Sequence, residues 1–186
     1  MGRLQKVLTT AQRDRATGAV VGMAVGNALG SGYAFQPHPD PAFIRMLPGG
    51  LGAYELGEWA DDTAMAMPIL EALAAGRDLL DPATQDLVAA RWAQWFTTAK
   101  DVAPNIDRVL EAYDPALGAQ SLRHTATAIH AAGTPAAGNA SLMRTTPVTL
   151  GYLHDPEALA HAARTYSDLT HANPEAGQAC TLWNLA

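Results

Sequence analysis

An all-α fold is the class this sequence predicts, on three observations. Alanine is abundant and β-branched runs are scarce, a composition that favours helix over strand. Capping residues stand directly before proline at Asp81-Pro82, Asp114-Pro115, Asp155-Pro156 and Asn173-Pro174, the idiom of an N-cap followed by Pro at the first helical position. Apolar residues then recur at helical spacing: Leu87, Ala90, Trp92, Trp95 and Phe96 after Asp81, and Leu159, Ala162, Tyr166 and Leu169 after Asp155.

Length and composition set the bounds. A chain of 186 residues suits a single domain, 1–186, with one sizeable core, and 48% hydrophobic against 16% charged residues excludes disorder. The net charge of −6 and the lack of any Lys/Arg cluster argue against a nucleic acid or an anionic membrane as partner. One cysteine, Cys180, leaves no internal disulfide framework and fits a reducing cytoplasm. It falls in an apolar helical pattern and reads as core.

The apolar segment from Gly18 to Gly30 is too short for a transmembrane span, which needs about 18–20 apolar residues. We expect it to be a fully buried helix. Its glycines, Gly18, Gly22, Gly26 and Gly30, form one stripe at helical period, and each costs about 1 kcal/mol relative to Ala. Close approach of another backbone is the expected compensation.

Residues 32–58 carry Pro37, Pro39, Pro41 and Pro48 with Gly49, Gly50 and Gly52, and show no helical period. Loops of this length are usually lids or binding loops. This one ends just before Asp61-Asp62, which makes it a candidate flap. Its aromatics, Tyr33 and Phe35, are the residues placed to meet a substrate.

The segment Gly57-Glu58-Trp59-Ala60-Asp61-Asp62-Thr63-Ala64-Met65 puts two adjacent carboxylates at the start of an apolar helical pattern. Two anions about 4 Å apart repel by roughly 4 kcal/mol at an effective dielectric near 20. The helix N-terminus offers a partial positive charge. A divalent cation is the stronger counter-charge, and oxygen-only ligands suit Mg²⁺ or Mn²⁺. A solvated helix cap is the competing reading. Pro68 interrupts the pattern, so this helix is expected to start late or to kink.

A second small-residue loop, Gly133 to Ser141, precedes Leu142-Met143-Arg144, which has a helical look. Free backbone N–H groups at such a start suit an anion. No strand precedes it, so it is neither a Rossmann nor a Walker loop. Arg144 is expected to pair with a carboxylate inside the fold. His38, His124, His130, His154 and His161 have no Cys or acidic neighbours at metal-ligand spacing, so no zinc site is readable. The last residues, Cys180 to Ala186, form an apolar helical pattern without a stop signal. We expect either a longer parent chain or a partner surface over this end.

Three ordered motifs carry a resemblance. The first is Gly18 through Gly26-Asn27-Ala28-Leu29-Gly30. The second is Ala60-Asp61-Asp62-Thr63-Ala64-Met65. The third is Gly138-Asn139-Ala140-Ser141-Leu142-Met143-Arg144, followed later by Thr170-His171. Together they resemble the ADP-ribosylglycohydrolase family, which includes dinitrogenase-reductase-activating glycohydrolase. The resemblance runs over essentially the whole chain. It implies an orthogonally packed all-α bundle with two Mg²⁺ or Mn²⁺ ions in a central cleft. The implied reaction is hydrolysis of the bond between ADP-ribose and an acceptor side chain, often arginine, on a protein or a small ADP-ribosyl compound. It assigns Asp61, Asp62 and Thr63 to the metal, with Asp61 and Asp62 catalytic. It assigns Gly138, Asn139 and Ser141 to the diphosphate or ribose, and His171 to the ADP-ribose cleft.

The chain departs from the family pattern at four places. Ala60 stands for the usual Thr, Asn27 for an Asp, Ala34 for a flap Glu and Ala140 for a Gly. An Asp-x-Asp-Thr half-site found late in the family is not in these residues. Two readings follow: a hydrolase completed by a C-terminal segment or a second copy, or a degenerate ADP-ribose-binding or scaffold relative.

Overall fold

The computed structural model describes residues 8–37, 39–133 and 138–186. Among these residues eight α-helices follow one another: α1 (Thr10–Ser31), α2 (Asp61–Ala74), α3 (Pro82–Phe96), α4 (Pro104–Glu111), α5 (Ala119–Ala131), α6 (Thr146–Gly151), α7 (Pro156–Asp168) and α8 (Pro174–Leu185). Among the described residues there is no strand, only an isolated antiparallel bridge between Gly49 and Tyr54. The expected all-α class is what the structure has. No described helix is long and apolar enough to cross a membrane.

A local capping side chain accounts for four of the eight helix starts. Thr9 and Gln12 form a capping box: the Thr9 Oγ1 accepts from the Gln12 N–H at 3.2 Å, and Gln12 Oε1 accepts from the Thr9 N–H at 2.9 Å. Asp81, Asp155 and Asn173 each accept a backbone N–H of their own first turn, at 3.1, 3.0 and 2.7 Å. The fourth Asp-Pro pair behaves differently. Asp114 caps a turn, accepting from the Ala116 N–H at 2.8 Å, and α5 begins only at Ala119. Gly118, at φ 57 and ψ −135, interrupts the chain before the helix, and the first free N–H of α5, on Ala119, donates to Asp86 of α3 at 2.8 Å. A proline start that has no capping side chain, Ala103-Pro104, opens α4 instead.

One core joins α2 through α8. Met65, Ile69, Val88, Trp92, Ile106, Leu122, Leu159, Tyr166 and Cys180 are all buried in it. Burial of each large apolar side chain stabilises by about 1.5–3 kcal/mol. Trp92 is fully buried, and its Nε1–H donates to the Met65 carbonyl at 2.8 Å. Tyr166 meets it edge-on, with ring centroids 6.5 Å apart. Cys180 is a free core thiol, as its pattern indicates.

Two further expectations are corrected. Helix α2 begins at Asp61, without delay, and runs through the buried Pro68 to Ala74, because core packing of Met65, Ile69 and Ala72 outweighs the lost N–H. Helix α1 is not buried. Of its 22 residues only Ala28 and Ser31 are, and a Cβ placed on Gly18, Gly22, Gly26 or Gly30 would meet nothing within 4 Å. Val21 and Val25 are about half exposed. Apolarity marked the segment as one that a neighbour could cover, but the helices it touches, α2 and α6, flank only part of it.

The segment 32–58 is a loop with one 3-10 turn, Pro41–Phe43. Its base packs against the end of α1. Gly50, at φ 68, sits so close that a Cβ there would overlap the Ser31 carbonyl, a position only glycine tolerates. Leu142–Arg144 is likewise a 3-10 turn, with α6 following directly.

Candidate functional site

The start of α2 faces a cleft of about 550 Å³. Asp61 and Asp62 stand in it. Its walls come from Ala19 and Met23 of α1, from Ala103, from Asn139, Ala140, Leu142 and Met143, from Thr146 of α6 and from Trp183 of α8. Two carboxylates and one amide thus sit among mostly apolar walls, the usual make-up of a small-molecule site.

The carboxylates are short of positive charge. Burial, then the neighbouring Asp62, then Asp101 push the Asp61 carboxyl up to about 6. Burial also raises Asp62. Among the described residues no Lys or Arg forms an ion pair with either of them. Lys100, which borders a smaller cavity shared with Asp61, is engaged by Glu58 at 2.6 Å. Asp101, in that smaller cavity, is a residue the motifs did not flag. It lies forty positions from Asp61 in the chain, and nothing in its spacing signals that they meet.

Asp61 and Asp62 suit a hard divalent cation in donor chemistry and in uncompensated charge. They supply only two protein donors. Among the described residues no group of three or more His, Cys, Asp or Glu comes together to hold a metal. The Thr63 hydroxyl is buried and donates to Asn27 Oδ1 at 2.9 Å, facing α1 and not the cleft.

The residues singled out for the substrate are spread unevenly. Asn139 lines the cleft. Residues 134–137 of the small-residue loop lie outside the described residues, as does His38. Ser141 is buried beneath the cleft wall, where its Oγ accepts from Ser167 at 2.8 Å and lies 3.4 Å from the Cys180 thiol. Phe35 is 86% exposed with φ 60, and Tyr33 ties the loop to itself through the Arg45 N–H and carbonyl. Neither ring lines the cleft, and no described residue of 32–58 does, while Tyr54 and Glu58 border the smaller cavity that Asp61 shares.

His171 is buried, and its Nε2 has no hydrogen-bond partner. That nitrogen faces Gly138, where a Cβ would lie 3.5 Å away. Its Nδ1 is 2.7 Å from Thr170 Oγ1, which also accepts from Arg144 at 2.7 Å. Arg144 does not pair with a carboxylate. Its Nη2 donates to the Tyr166 carbonyl at 2.9 Å as well as to Thr170, and its guanidinium lies 4.4 Å from the Trp92 ring centroid. Flat stacking and neutral acceptors hold the cation where a counter-ion was expected.

Burial, then Arg144, hold the His171 imidazole down at about 3, against its ordinary 6.5. The unfolded chain takes up this proton below about pH 6.5 and the folded chain does not, so folding stability falls as pH drops through this window. The slope reaches about 1.4 kcal/mol per pH unit. Asp61, Asp62 and Asp168, all raised, run the opposite way. The difference between wild type and His171→Gln isolates the histidine. Urea titrations at pH 7, 6 and 5 should show wild type losing its lead over the variant. Parallel curves would refute a neutral buried His171.

The profile of the ADP-ribosylglycohydrolase family matches residues 8–186. The chain is 29% identical over 173 residues to an ADP-ribosylarginine hydrolase (Tri1) of Serratia proteamaculans, covering 90% of this chain and 44% of that protein. It is 31% identical over 175 residues to the ADP-ribosyl-[dinitrogen reductase] glycohydrolase of Rhodospirillum rubrum, covering 90% and 54%. A solved structure described as an ADP-ribosylglycohydrolase-related protein complex superposes with a TM-score of 0.64 at 29% identity, over 91% of this chain and 53% of that one. The chain spans about half the length of the curated relatives it matches.

Proposed function

The chain belongs to the ADP-ribosylglycohydrolase family, and from that premise we propose that it acts in hydrolysis of the glycosidic bond joining ADP-ribose to an acceptor side chain. Arginine on an ADP-ribosylated protein is the acceptor in this reading, and Mg²⁺ or Mn²⁺ the cofactor, two ions as the family resemblance implies. The observation that carries it is the partly buried, uncompensated Asp61–Asp62 pair opening on the cleft that Asn139 also lines. The names of the relatives supply the substrate class. The cytoplasm, with its reducing conditions, fits the single cysteine.

Asp61 and Asp62 are the residues that would hold the cation. When bound, it would polarise the reacting centre, orient ribose hydroxyls and activate water. The chain's own groups do the rest. Thr170 accepts from Arg144 and lies 2.7 Å from Nδ1 of His171, which holds the imidazole in place. The neutral ring turns its unpartnered Nε2 to Gly138 and so backs the loop that leads to Asn139. Asn139 offers both a donor and an acceptor at the cleft edge. The apolar walls exclude water around the carboxylates and strengthen their interactions. Because the protein donors stop at two, the remaining positions fall to water, substrate, a further segment or a second copy.

That same shortage favours one second reading, ADP-ribose binding without turnover. A calorimetric titration with ADP-ribose, with and without excess Mg²⁺, tests both together with a release assay on ADP-ribosylated arginine. Mg²⁺-dependent binding with release of ADP-ribose is the expected result. Binding without release selects the second reading. No binding in either condition overturns both.

A further inference from the structure

Helix α2, which carries the carboxylates, has no cap of its own. Ala60 stands at the N-cap with a methyl group and makes no side-chain cap bond. A residue of another helix does this work. Asn27 Oδ1 accepts from the Ala60 N–H at 2.8 Å, from the Thr63 N–H at 3.3 Å and from the Thr63 hydroxyl at 2.9 Å. The other half of the same amide, Nδ2, donates to Asp62 Oδ2 at 2.7 Å. Three donors face the oxygen and a carboxylate faces the nitrogen, so the network allows only one orientation of the amide.

We propose that Asn27 is a positioning residue that caps α2 from outside and aims the Asp62 carboxylate, and that both halves of its amide are required. The Thr63 N–H is the third in the helix, the donor that a local N-cap side chain would ordinarily satisfy. An aliphatic side chain of similar size would supply neither contact. A carboxylate would keep the cap but bring a second negative oxygen to Asp62. The importance of this aim for function rests on the hydrolase reading above; the aim itself does not.

Two variants separate the two halves. Asn27→Ala removes both. Adding Ala60→Ser returns a local cap, since Ala60 already has the extended backbone an N-cap needs, φ −96 and ψ −159. The readouts are the thermal midpoint, the ¹³Cγ resonance of Asp62 in metal-free protein, and the Mn²⁺ dissociation constant. Asn27→Ala should lower the midpoint, move the Asp62 resonance and weaken Mn²⁺ about tenfold. The double variant should recover the midpoint while the resonance and the Mn²⁺ affinity stay at the Asn27→Ala values. Recovery of all three would reduce Asn27 to a cap and overturn the proposal. So would an Asp62 resonance that does not move in either variant. Wild type that binds no Mn²⁺ would sink the metal-dependent hydrolase reading, while the carboxyl resonance would still decide the role of Asn27.

Discussion

Replacing Arg144 by alanine should lower the unfolding free energy by about 3–5 kcal/mol, the range for truncating a large, fully buried side chain. Arg144 has no exposed surface. Its removal would open a void beside Trp92 and leave the Tyr166 carbonyl and Thr170 hydroxyl without their donor. Burial brings the guanidinium down to about 10, still well charged at neutral pH. The cation is therefore buried without a carboxylate partner, and its Nε has no hydrogen-bond partner. Removing the charge returns part of the loss, which is why the methionine variant is informative. Arg144→Met fills most of the volume and should cost about 1–3 kcal/mol, the penalty for leaving buried acceptors unmade. Urea unfolding at pH 7 measures both. A loss below about 1 kcal/mol for alanine would show that stacking on Trp92 and the two hydrogen bonds contribute little. Either variant also removes the donor to Thr170, the residue that holds Nδ1 of His171.

Asparagine at Asp61 or Asp62 should separate stability from activity. Each swap keeps the shape and one oxygen acceptor while removing a partly buried negative charge from an uncompensated pair. With its carboxyl raised to about 6 by burial and by Asp62, Asp61 destabilises the folded chain at pH 7. Asp61→Asn should therefore stabilise, by roughly 1–2 kcal/mol. On the hydrolase reading the same change should cut Mg²⁺-dependent release of ADP-ribose by about 100-fold or more. Matched thermal melts and release assays decide the matter. A variant that is more stable and inactive marks a charge kept for chemistry. One that is less stable, with turnover intact, would make the pair an ordinary helix cap.

Local features of this fold were legible, and non-local ones were not. Thr9 with Gln12, Asp81, Asp155 and Asn173 cap helices through contacts within one turn, so short sequence spacing exposes them. Asp61-Asp62 was legible for the same reason: adjacent charges at a helix start are a local pattern. Two helix starts, α2 and α5, are capped by Asn27 and Asp86 on other helices, and no local pattern records that. Asp114 carried the right signal and still capped only a turn, because Gly118 adopts a positive φ before α5 begins. Ser141 and Asn139, two residues apart in one motif, part company. One is buried beneath Ser167 and the other lines the cleft, a distinction set by the 3-10 turn that follows. Period and composition could mark α1 as apolar. Which neighbours would lie against it is a tertiary fact.

Helix α1 also divides the molecule into parts that need not open together. Among the described residues its first turn is held by a capping box of its own, while Asn27 and Ser31 bind its C-terminal end to α2 and to the Glu58 carbonyl. Fraying from Thr10 toward Gly26 exposes no fully buried residue, so it should cost far less free energy than opening the core, in the manner of a low-stability cooperative unit. The amide of Asn27 is the fulcrum. Hydrogen exchange should therefore be fast for amides before it, through local breathing, and slow for those of α2, which open only when the carboxylate site itself comes apart.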